Sequence, residues 1–90
     1  MCEACREVIL RKEFYGPRDY LSCLRYIGGL VDSGAFVLES GTCDLDKVKD
    51  ENGCWVDDII AHVIRCGICG QAFTCSCDTY HGRGGFRKGR

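Results

Sequence analysis

The stretch "HVIRCGICGQAFTCSCDTYHG", His62 to Gly82, contains four cysteines and both histidines of the chain. Upstream of Cys66 the run from Ile59 to Ile64 is rich in β-branched residues, the kind that fit a pleated surface. Downstream of Cys69, "QAFTCSCDTY" alternates apolar and polar residues with the period of a second strand. Cys66 and Cys69 fall between them, so the stretch predicts an antiparallel hairpin with two thiols at its tip. A hairpin tip faces water, where a cysteine has no packing reason to be. Metal binding is the reading that explains the pair.

The tip itself, "CGICGQAF" from Cys66 to Phe73, spaces two thiolates three positions apart and follows the second with a glycine that relieves the turn. This Cys-x-x-Cys-Gly with a following aromatic resembles the rubredoxin-type knuckle of zinc ribbons and treble clefs. The resemblance covers eight residues, 66–73, and implies a metal rather than a particular function. A structural zinc takes four ligands. Cys2 and Cys5, in "CEAC", form the only other pair at this spacing. The expected set is therefore Cys2, Cys5, Cys66 and Cys69, holding one structural Zn2+ per chain with no open position. Cys43 and Cys54, flanking an acidic loop, are the alternative second pair, and four thiolates would suit iron as well as zinc.

Cys75 and Cys77 read differently. About 20 Å of extended strand separates Cys75 from Cys69, and both share a face with Phe73, so they belong to the core, as does Cys23. A second metal held by Cys75, Cys77 and His81 is the competing reading. His62 alternates with Ile60 and Ile64 and is expected as a buried, hydrogen-bonded side chain rather than a base.

Outward from the hairpin, residues 5–14 place Cys5, Val8, Ile9 and Phe14 near helical spacing. Gly16-Pro17 breaks that segment and starts a second helix to about Val31, with Tyr20, Leu24, Ile27 and Val31 on one stripe. Ser33-Gly34 ends it. "AFVLES", 35–40, reads as a strand. Residues 43–54 read as an acidic loop with a helical turn at Leu45 to Val48 as an option, and a short helix over 56–61 competes with the strand. The expected fold is a small α+β domain, residues 1–81: two N-terminal helices on about three antiparallel strands with a zinc-ribbon-like knuckle. Residues 82–90 read as a flexible basic glycine-rich tail. The expected core is Val8, Ile9, Leu24, Ile27, Val31, Val37, Ile60, Ile64 and Phe73.

Ninety residues make one domain, and no apolar run approaches the ~20 residues of a membrane span. The start carries no secretory leader pattern, which with nine cysteines points to a cytoplasmic, reducing setting. Net charge is −1 but uneven. Asp44, Asp46, Asp50, Glu51, Asp57 and Asp58 cluster around Trp55, whereas Arg83, Arg87, Lys88 and Arg90 fill the tail.

The chain lacks a His-Glu-x-x-His motif, a deaminase pattern, a βαβ-borne Cys-x-x-Cys and a phosphate-binding loop. The expectation is therefore a non-enzymatic protein acting by protein–protein interaction. Its acidic residues and Trp55 would meet a basic partner, for which a toxin or nuclease covered by a small bacterial immunity protein is the analogy. The alternative is nucleic-acid binding, with Arg83, Arg87, Lys88 and Arg90 on phosphates and Phe86 stacked on a base.

Overall fold

A computed structural model describes residues 3–89. It is a small α+β domain: a single helical turn, Glu3–Arg6 (α1), one long helix, Pro17–Asp32 (α2), and strands Phe36–Gly41 (β1), Ile59–Cys66 (β2), Ala72–Asp78 (β3) and Arg83–Lys88 (β4). The strands form one antiparallel sheet in the order β1-β2-β3-β4.

Local chemistry sets the bounds of α2. Pro17 occupies its first turn, where a missing N–H costs nothing. Asp19 reaches back to accept the Tyr15 N–H at 2.9 Å and pairs with Arg11 at 3.4 Å. At the far end Gly34 takes φ +84° and donates to the Val31 carbonyl at 3.0 Å. Tyr20, Cys23, Leu24 and Ile27 bury one face.

In β2 the inward residues are Ile60, His62, Ile64 and Cys66, and β3 sends Phe73, Cys75 and Cys77 to the same side. The helix covers this face, and the other stays open to solvent. Aromatic rings link the layers. The Phe73 ring centre lies 6.0 Å from that of Phe36 and 6.0 Å from that of Phe86, while Phe14 and Trp55 flank Tyr20 at 5.6 and 5.7 Å.

Three expectations need correction. The first helix is one turn, not ten residues. Beyond Arg6 the chain is extended because its backbone groups bond to the sheet: Arg11 exchanges hydrogen bonds with Phe86 at 2.9 and 2.8 Å, and Phe14 donates to Gly84 at 2.8 Å. The basic segment 83–88, expected as part of a flexible tail, is the fourth strand, β4, with Phe86 in the core. Its glycines answer to sterics. A Cβ on Gly84 would run into the Ser76 carbonyl oxygen and stand 2.7 Å from the Cys77 Cα, and one on Gly85 would stand 2.8 Å from the Lys12 carbonyl oxygen.

The third correction is phase. Phe36, not Val37, enters the core, leaving Val37 57% exposed, because neighbouring strand residues face opposite sides. A bulge between Leu38 and Ser40 shifts the register further along β1. Ile9 is 65% exposed for the related reason that an extended segment does not keep a helical stripe.

Gly84→Ala should lower stability by about 1–3 kcal/mol, the usual cost of forcing atoms into filled space. Gly29→Ala, where nothing lies within 4 Å of the added carbon, should raise it by about 0.5–1 kcal/mol. Urea unfolding checks both, and equal effects would contradict this account of β4.

Candidate metal centre

The knuckle at the β2–β3 turn folds through its own backbone. Cys66 donates to the Gln71 carbonyl at 2.9 Å, and Gly70 donates back to the Cys66 carbonyl at 3.0 Å with φ +78°. The Ile68 N–H points at the Cys66 sulfur, 3.4 Å away. An N–H directed at sulfur favours the thiolate that a metal requires. Gly67 donates to Ala35 at 3.0 Å, which anchors the tip beside the start of β1.

One turn of α1 brings Cys5 to this tip. Its Sγ lies 3.3 Å from that of Cys69, and the sulfurs of Cys5, Cys66 and Cys69 all fall within 4.8 Å of one another. Sulfurs around a tetrahedral zinc, with Zn–S of about 2.3 Å, are spaced by roughly 3.8 Å, so the three thiols fit such an ion. Cys5 and Cys66 are buried and Cys69 faces solvent. The cluster could hold a metal ion. Cys2, the fourth residue of the expected set, lies outside the described residues, as does Arg90 of the basic set.

The alternative pair does not join the cluster. Cys43 is half-buried near His62, and Cys54 is an exposed thiol in the acidic loop. Cys23, Cys75 and Cys77 are core thiols. A hydrogen bond to Cys23, together with burial, pushes the Cys75 thiol well above the ordinary cysteine range, and burial raises Cys77 in the same direction. Cys75 and Cys77 therefore stay protonated, while the same hydrogen bond lowers the Cys23 thiol. His81 turns to Asp78 instead, with Nδ1 2.8 Å from Oδ2. That contact holds the Asp78 carboxyl below its usual range.

His62 is 1% exposed, and its Nε2 donates to the Cys43 carbonyl at 2.7 Å. Gly41 makes room for the ring, since a Cβ there would meet its Cδ2 at 2.5 Å. Nδ1 and the Tyr20 hydroxyl have no hydrogen-bond partner among the described residues. Burial holds the imidazole's proton affinity below the free-histidine value, while the Cys43 carbonyl and Asp44 pull the other way.

The acidic residues separate into different roles. Asp50 accepts the N–H groups of Asn52 and Cys54 at 2.9 and 3.0 Å and so shapes its own turn. Asp44 lies 3.8 Å from Lys47. Asp46 borders α2 beside Leu45, and Glu51 is exposed. Asp57 and Asp58, with Trp55, Val56, Thr79 and Tyr80, line a cleft of about 570 Å³. The Thr79 hydroxyl donates to the carbonyls of Asp57 and Asp58 at 2.8 and 3.1 Å, fixing the two walls to each other. Val56, Thr79 and Tyr80 are the cleft residues the sequence did not assign to this face; only strand pairing brings the β3–β4 turn beside Asp58.

Of the basic set, Arg83, Arg87 and Lys88 are exposed, but the Phe86 ring is 1% exposed and has no face to offer a base. No helix among the described residues is long and apolar enough to cross a membrane. No family model, curated protein or solved structure matches the chain.

Cys69→Ser should abolish metal retention, whereas Cys75→Ala should keep the full metal content and lose about 1–2 kcal/mol of stability; elemental analysis with urea unfolding separates them. For His62 the unfolded chain binds a proton near pH 6.5 and the folded chain does not. Stability is therefore full above that pH and falls below it, by at most about 1.4 kcal/mol per pH unit. The NMR titration midpoint of His62 should lie below that of free histidine, and a midpoint at or above it would refute the buried, neutral assignment.

Proposed function

We propose that the chain is a metal-stapled binding domain without catalytic activity. In this reading one structural Zn2+ is held by Cys2, Cys5, Cys66 and Cys69, with every coordination position filled by protein. Such an ion contributes folding energy and offers nothing to a substrate. The function then belongs to a protein partner with a basic surface, and an inhibitor covering a cationic toxin or nuclease is the biological form we favour.

The observation that carries the reading is the cleft at Trp55, Asp57, Asp58 and Tyr80. It places two carboxylates beside two aromatic side chains, one of them, Tyr80, 79% exposed. Aromatic rings supply contact area and attract cations on their faces. The Lys49 ammonium already stands 4.7 Å from the centre of the Trp55 ring, so this ring accepts a cation within the chain itself. Carboxylates at the rim steer a basic partner and set its orientation. Asp44, Asp46, Asp50 and Glu51 add to the field and make no part of the cleft wall.

Trp55 is the only tryptophan in the chain, so its fluorescence reports occupancy of the cleft directly. An oligo-arginine peptide should change that emission with a salt-sensitive affinity. Asp57→Lys/Asp58→Lys should weaken it about tenfold or more while leaving metal content unchanged. Unaltered affinity in that variant, or tighter binding of single-stranded nucleic acid that depends on Arg87 and Lys88, would reject the proposal.

A further inference from the structure

The outer stripe of α2 presents a second surface, away from the cleft and independent of it. Leu21, Arg25, Gly28 and Asp32 follow the i, i+4, i+7, i+11 spacing of one helical face. They border a groove of about 550 Å³ whose far wall is the turn at Leu45 and Asp46. Gly28 and Gly29 line the groove along the helix, above the buried Leu24 and Val48. Two glycines inside a helix weaken it, and here the chain's own packing does not require them, since no atom lies within 4 Å of a carbon added at either. The charges on the rim are also unused. The side chains of Arg25 and Asp32 make no ion pair among the described residues.

The placement of these charges is self-complementary. The midpoint between positions 25 and 32 falls on the Gly28–Gly29 peptide, and about 10 Å of helix separates the two side chains along the axis. A second copy of the helix, crossing antiparallel at that midpoint, brings its own Asp32 opposite Arg25 and its Arg25 opposite Asp32. Asp46, on the same groove as Asp32, strengthens the acidic end. A two-fold contact is satisfied by a single patch that complements itself. The two glycines allow the backbones to approach closely, which covers the apolar flank of Leu21 and Leu45.

We propose that this groove is a self-association surface, in which the α2 helices of two copies cross antiparallel at Gly28–Gly29 with Arg25 of each facing Asp32 of the other. The pairing uses no residue of the metal cluster or of the Trp55 cleft.

Sedimentation equilibrium on the metal-loaded full chain, from micromolar to millimolar, tests it. The wild type should form a reversible dimer. Arg25→Asp places like charges across both pairs and should raise the dimer dissociation constant by about thirtyfold. Adding Asp32→Arg to that variant reverses the polarity of both pairs, and the constant should return to within about fivefold of wild type, with Asp46 accounting for the shortfall. Gly28→Leu should abolish the dimer while circular dichroism and melting behaviour stay those of a folded monomer. A wild type that remains monomeric at millimolar concentration would overturn the proposal. So would a dimer indifferent to Arg25→Asp, or a double variant as weak as the single one.

Discussion

The contact on which the rest of the fold depends is the meeting of Cys5 with Cys66 and Cys69. It joins positions 64 apart in sequence across one cluster of sulfurs. A metal ion bound there would close a loop of that size and remove about 4 kcal/mol of conformational freedom from the unfolded chain. That is a large share of the few kilocalories by which a domain of ninety residues is expected to be stable. The same cluster sets where the N-terminal segment runs. With Cys5 fixed at the hairpin tip, residues 11–14 are led along β4, where Arg11 and Phe14 bond to its backbone. The helix that follows is then delivered to the covered face of the sheet.

The sheet explains why the remaining cysteines are quiet. Cys75 and Cys77 point inward from β3 because a strand sends every second residue to one face, and burial keeps their protons on. The knuckle sulfurs differ in surroundings more than in chemistry. They sit at a turn, within reach of the Ile68 N–H and of each other. One residue type thus serves as packing in the strand and, at the tip, as a cluster that could hold a metal ion.

Much of this architecture is legible in the amino-acid order alone. Pro17 and Ser33-Gly34 mark the ends of α2 because each acts locally, through a fixed φ at one end and a left-handed turn at the other. The alternation through Ile60, His62 and Ile64 marks β2, and the knuckle spacing marks the thiols. What stays hidden depends on distant partners. Phe86 is the single buried apolar side chain in β4, too little for a strand pattern, and the steric need for Gly84 arises from a carbonyl in β3. Cys5, Val8, Ile9 and Phe14 mimic a helical stripe, yet past the first turn the backbone of Arg11 and Phe14 bonds to β4 and the Ile9 N–H to the Tyr26 hydroxyl. The cleft beside Trp55 is half visible: its carboxylates are close in sequence, whereas Tyr80 reaches them only through the pairing of β2 with β3.

The most direct measurement of the central claim is amide hydrogen exchange by NMR, with and without a chelator. If a metal at the thiol cluster holds the N-terminal segment on the sheet, its removal should release the Arg11 and Phe14 amides to fast exchange, while Ile64 and Phe73 in the central strands remain the slower pair. Unchanged exchange at Arg11 and Phe14 after the metal is withdrawn would mean that the segment is held by packing alone, and that the cluster is not the clamp described here.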